Sequence, residues 1–126
     1  MYKRQVVCCV PLLSGTKHLL SEKEFGLLKP SALLVDVSRG GVIDQSALID
    51  ALNHKNLEGA ALDVFATEPL ANDSPLWNMQ NVIITPHCSS VYEGWALKSV
   101  ALFADNMTRY LEGEPLNNIV DPVRGY

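Results

Sequence analysis

Nowhere does the sequence hold the roughly 18 consecutive apolar residues that a membrane-spanning helix requires. A basic excess is also missing. Ten Lys and Arg stand against fourteen Asp and Glu, for a net charge of −4, and the cations are scattered rather than clustered. Such a chain offers no electrostatic footprint for nucleic acid. Cysteine is scarce, with Cys8, Cys9 and Cys88 and no C-x-x-C pair. Adjacent residues of a strand point to opposite faces, so Cys8 and Cys9 cannot readily bridge, and any pairing leaves one thiol over. Metal ligation is therefore not expected, and buried free thiols in a reducing cytoplasm are. The start, "MYKRQVVCCVPLL", has basic residues before an apolar run, but that run ends at Pro11 with no small-residue cleavage site after it, unlike a signal peptide. There are no internal repeats and no low-complexity tract.

What is present is 48% hydrophobic residues with 19% charged, the composition of a globular core. Four apolar runs stand out, at 5–11, 32–38, 58–65 and 81–86. Each is continuous rather than alternating, which predicts strands covered on both faces. Between them, 21–29 opens with Ser21 and carries Glu24 three residues later, a capping box. Residues 44–56 open with Asp44 and place Ala47, Leu48, Ala51 and Leu52 on one stripe. Strands alternating with helices through short connections predict a parallel α/β sheet. After His87 the pattern changes. Residues 90–112 read as one long helix with Gly113 as its stop, and a short strand is expected at 118–120.

Open α/β sheets bind their ligands beyond the carboxyl ends of the strands, and the polar oddities of this sequence gather there. The second run ends in Ser38-Arg39-Gly40-Gly41, the third in Asp63 with Glu68 just beyond, and the fourth in Pro86-His87-Cys88-Ser89-Ser90. Each has a plainer alternative: for Arg39 a loop residue paired to a surface acid, for His87 a hydrogen-bonded loop histidine and for Glu68 an exposed acid. Asp63 is harder to dismiss, because a buried carboxylate needs partners. An arginine, two carboxylates and a histidine at successive strand ends together favour chemistry.

The stretches "VVCCVPLLSGT", "LLVDVSRGGVIDQSALIDAL", "GAALDVFATEPL" and "SPLWNMQNVIITPH", in this order, closely resemble the D-2-hydroxyacid dehydrogenase family, from about residue 5 to the closing "NNIVDPVRGY". That family includes glyoxylate/hydroxypyruvate reductases and D-3-phosphoglycerate dehydrogenases. The resemblance implies a Rossmann-type doubly wound parallel sheet, NAD or NADP as coenzyme and a small 2-oxo or 2-hydroxy acid as substrate. It implies Arg39, Glu68 and His87 as the catalytic residues of the R-G-G, E-P and T-P-H motifs. It places Asp63 on the nicotinamide carboxamide, and Val10, Pro11, Val37, Ser38, Arg39, His87 and Ser90 along the coenzyme.

Under that resemblance residues 1–89 are the C-terminal half of a dinucleotide-binding domain, and 90–126 are a long helix and tail that return to a substrate domain. The glycine-rich G-x-G-x-x-G turn that receives a pyrophosphate is absent from these residues, as is the later residue that separates NAD from NADP. Asp36 stands where Asn is commoner in the family, and Leu13 where Thr is common. The chain is accordingly expected to be a truncated half of an oxidoreductase, inactive by itself. The alternative is an inactive fragment or a non-catalytic assembly or regulatory module on the same fold. Apolar edges predict a homo-oligomer, a dimer being the simplest.

Overall fold

Four short strands form where the apolar runs are richest in Val, Leu, Ile and Ala. They are β1 (Gln5–Cys8), β2 (Leu33–Asp36), β3 (Gly59–Leu62) and β4 (Val82–Ile84), all parallel, in the order β1-β2-β3-β4. The computed structural model describes residues 4–125, so the first residues of the basic start lie outside it. The chain divides into two compact units, residues 1–89 and 90–126. The first is the parallel Rossmann-like α/β sheet expected from the alternation of strands and helices.

The pairing register sorts the strand residues into rows. Val6, Leu34, Ala60 and Val82 form one row on one face, and Cys8, Asp36, Leu62 and Ile84 form the next. Their partners in the core come from two helices, α1 (Glu22–Phe25) and α2 (Gln45–Asn53), through Phe25, Leu48, Ala51 and Leu52. The opposite face carries the row Val7, Val35, Ala61 and Ile83. It is open, with Val7 58% and Ile83 67% exposed. The expectation of strands covered on both faces is therefore wrong for this sheet. Residues of alternate parity on one strand reach different surroundings, and α1 and α2 of this unit cover one parity only.

Other departures have local causes. The segment 21–29 gives only one helical turn, α1, although the Glu24 carboxylate accepts from the Ser21 amide (3.1 Å), as in a capping box, and also from the Ser21 hydroxyl (2.6 Å). At α2 the Asp44 carboxylate caps the helix by accepting from the amides of Ser46 (3.0 Å) and Ala47 (3.1 Å). A 3-10 turn at Pro75–Asn78, not foreseen, leads into β4 and buries Leu76. Of the three thiols only Cys8 is buried; Cys9 and Cys88 are exposed.

In the second unit the long helix, α3 (Trp95–Glu112), starts five residues later than the apolar pattern suggests, because Gly94 adopts a left-handed φ of 81°. Gly113, at φ 73°, stops it as expected. No strand forms at 118–120, where Asn118 turns the backbone with φ 55°. The tail is tied instead to the helix end. The Asn106 side chain bonds the carbonyl (3.1 Å) and amide (2.8 Å) of Asn117, and Arg109 pairs with Asp105 (3.1 Å) and Glu114 (3.3 Å).

Candidate active site

Because all four strands run the same way, the segments that follow them emerge on one rim. Backbone hydrogen bonds extend the ladder past the strand ends: Val37 donates to Cys8 (3.0 Å), Asp63 to Asp36 (2.9 Å) and Thr85 to Leu62 (2.9 Å). Val10 and Pro11 follow β1 on this rim, Val37, Ser38 and Arg39 follow β2, Asp63 follows β3 and His87 follows β4. Ser90 opens the second unit and is exposed.

Glu68 is held by two groups. One carboxylate oxygen accepts from the amide of Phe65 (3.0 Å), and the other lies 2.7 Å from Nδ1 of His87. The His87 hydrogen bond, followed by the Phe65 amide, holds the Glu68 carboxyl below the usual carboxylate range, so it is ionised at neutral pH. An ionised carboxylate only accepts, and therefore Nδ1 carries the proton between them. That leaves Nε2 as the nitrogen through which His87 can gain or lose a proton.

Asp63 is buried, which by itself disfavours its charge. Donors outweigh the burial. Its Oδ1 accepts from the Thr85 hydroxyl and the Cys88 amide (2.8 Å), and its Oδ2 from the Ser89 amide (2.8 Å), so the carboxyl is held well below its ordinary range. It is a fixed anion.

Arg39 is exposed, and its Nη1 donates to the carbonyl of Ser38 (2.8 Å). Among the described residues no Asp or Glu forms an ion pair with it, so its other donors are open to an anion from outside. Its loop is set by the glycines behind it. A Cβ on Gly40 would lie 1.8 Å from the carbonyl oxygen of Phe65, and Gly41 has a φ of 91°. Gln45, at the start of α2, accepts from the amide of Ala66 (3.0 Å). The loop bearing Arg39 and the loop bearing Glu68 thus touch backbone to backbone.

Ser38 is turned inward. Its amide (3.0 Å) and its hydroxyl both donate to Asp36, whose burial raises its carboxyl against these hydrogen bonds. The hydroxyl is therefore committed to the protein. Asp36 in turn raises the neighbouring Cys8 thiol, second to burial. Gln45, Thr85 and Ser89 were not singled out from the sequence. Gln45 looks like any residue after a helix cap, whereas Thr85, two residues before His87 at a strand end, was findable.

These residues fit the nicotinamide end of a coenzyme. Half-buried Val10 and Val37 and the neighbouring Pro11 offer apolar surface to a flat ring, while the Asp63 carboxylate is buried and engaged by Thr85, Cys88 and Ser89. The chain offers no glycine-rich turn for the phosphates.

Comparison with known proteins agrees with the fold. Residues 3–89 match the family model of the D-isomer specific 2-hydroxyacid dehydrogenase, NAD binding domain. Glyoxylate/hydroxypyruvate reductase B of Pectobacterium carotovorum is 40% identical over 113 residues, which are 90% of this chain and 35% of that protein. The structure of a D-isomer specific 2-hydroxyacid dehydrogenase from Xanthobacter autotrophicus Py2, in complex with NADPH and MES, is 40% identical with a TM-score of 0.90. The match covers 98% of this chain and 50% of that one. An NADPH-dependent glyoxylate/hydroxypyruvate reductase from Sinorhizobium meliloti, in complex with NADP and sulfate, is 30% identical with a TM-score of 0.89, over 98% of this chain and 40% of that one. The chain spans about a third to a half of the length of these relatives. It belongs to the D-isomer specific 2-hydroxyacid dehydrogenase family, and residues 3–89 are its NAD-binding domain match.

Proposed function

We propose that this chain carries the acid–base and anion-binding rim of an NAD(P)-dependent oxidoreductase of small 2-hydroxy and 2-oxo acids, of the glyoxylate and hydroxypyruvate class. The observation that carries the reading is the pair of His87 and Glu68 at 2.7 Å, on the same sheet rim as an arginine without a carboxylate partner among the described residues. A 2-oxo acid presents a carboxylate and a carbonyl on adjacent carbons. The planar fork of Arg39 suits that carboxylate and polarises the carbonyl beside it. His87, with Nδ1 occupied by Glu68, gives the Nε2 proton to the carbonyl oxygen in reduction and takes it back in oxidation. The nicotinamide, when bound, supplies or accepts the hydride. Val10, Pro11, Val37, Ser38, Asp63 and Ser90 serve the coenzyme side.

The reading is tested by exchange of parts. Residues 5–126 replace the matching segment of the Pectobacterium reductase, and oxidation of NADPH is followed with glyoxylate and hydroxypyruvate. Turnover that Arg39→Ala and His87→Ala each abolish is the expected result. A folded, coenzyme-binding chimera without turnover rejects the proposal.

Calorimetric titration of the chain with NADH and NADPH measures what these residues contribute to coenzyme binding. The pyrophosphate turn supplies much of dinucleotide affinity, so weak binding is expected of these residues alone. No described helix is long and apolar enough to cross a membrane. Three free cysteines suit a reducing cytoplasm, which is where we place the protein.

A further inference from the structure

His87 holds a backbone conformation that histidine adopts infrequently, with a φ of 52°. Residues in the left-handed region persist only where their surroundings over-determine them. Glu68 fixes the ring of His87 but does not touch its backbone. The backbone is fixed by something else. Asp63 accepts from Thr85, two residues before His87, and from the amides of Cys88 and Ser89, the two residues after it. One buried carboxylate thus brackets the histidine from both sides. Asp63 is itself anchored, since it follows β3 directly and its amide donates to the carbonyl of Asp36 (2.9 Å).

We propose that Asp63 is the positioning residue for His87: its carboxylate clasps Thr85, Cys88 and Ser89 and thereby sets the turn that presents the histidine to Glu68. This role is separate from any contact Asp63 makes with a coenzyme, and it rests on the reading of His87 as the proton-transferring group. The geometry demands a carboxylate. Three donors converge on its two oxygens, and an amide in its place would turn an N–H₂ group towards one of the backbone N–H groups. Thr85 is the contact that can be removed without altering the charge of the site or the face offered to a coenzyme.

The test uses the 126-residue chain and nuclear magnetic resonance. The Nδ1 proton of His87, shielded by Glu68, and the amide protons of Cys88 and Ser89 report the two halves of the arrangement. In Asp63→Asn and in Thr85→Val all three protons should exchange with water faster by on the order of tenfold or more. The amides of Leu34 and Leu62 should keep their wild-type rates, and Thr85→Ser should restore the Nδ1 proton. If Asp63→Asn unfolds the sheet, Thr85→Val decides between the outcomes. An Nδ1 proton as protected in Thr85→Val as in the wild type, with the Cys88 and Ser89 amides freed, overturns the proposal, because the loop would then not position the ring. No readout needs turnover, so a chimera that fails to reduce glyoxylate would reject the functional reading without deciding this one.

Discussion

Nδ1 of His87 lies 2.7 Å from the Glu68 carboxylate, which reaches both the histidine ring and, through the Phe65 amide, the loop after β3. The pair couples two strand-end loops through one proton. Its energetic direction is set by Glu68, whose carboxyl is held low chiefly by the His87 hydrogen bond.

Glu68→Gln follows directly. A neutral amide can turn either its oxygen or its N–H₂ group towards Nδ1, so the tautomer and orientation of the His87 ring are no longer fixed. In the active chimera the maximal rate of glyoxylate reduction should drop on the order of a hundredfold. An unchanged rate would mean Glu68 is not the functional partner of His87.

Asp63 and Glu68 also bear on acid stability. Both carboxyls are held below their ordinary values of 3.8 and 4.5. A group with a depressed folded value contributes stability that is fully present above its unfolded value and is lost as pH falls through the folded one. The urea midpoint of the chain should therefore hold above about pH 5 and decline steadily below it. In Asp63→Asn the decline should be shallower, from a lower starting midpoint. Equal slopes in the two proteins would show that Asp63 is not held low by its donors.

Gly40 is the backbone counterpart of these contacts. A methyl group there would meet the Phe65 carbonyl at 1.8 Å, and backbone cannot swing aside as a side chain can. Gly40→Ala should cost at least about 2 kcal/mol. Gly41→Ala, with nothing nearer than a Leu12 methyl at 3.7 Å, should be milder in steric terms and suffer mainly from its φ of 91°. Urea unfolding of both variants checks the order; a Gly40→Ala chain as stable as the wild type would remove the close approach from the account.

The Asp44 cap and the Gly113 stop were legible because each depends on residues near in sequence, and the parallel sheet because apolar runs alternating with helical segments mark it. The rim was legible for the same reason, since a motif at a strand end needs only the strand to be recognised. What sequence could not supply was which parity of each strand is covered. Val6 and Val7 are the same residue type, yet Val6 packs against the core and Val7 is exposed, a difference made by helices distant in the chain. The clasp of Asp63 was illegible too. Its donors lie 22 to 26 residues later, and two of them are backbone amides that no side-chain pattern marks.

The open sheet face and α3 bear on assembly. Val7, Leu33 and Ile83 are exposed residues of the sheet, with β1 an edge strand that has no Pro, Lys or bulge inside it. In the second unit no residue of α3 is buried, although it carries Trp95, Phe103 and Leu111. Apolar patches beyond a few hundred Å² are rare on stable monomers and mark contact sites. Self-association hides such surface at the least cost in new sequence, because one patch serves both partners across a two-fold axis. Sedimentation at micromolar concentration should accordingly give a species of about twice the 13.8 kDa chain mass. Replacing Val7 and Ile83 by Lys should return it to the chain mass if the sheet face is the contact, and replacing Phe103 and Leu111 by Lys should do so if the helix is. A wild-type species that sediments at 13.8 kDa would show that the chain tolerates these surfaces in water without a second copy.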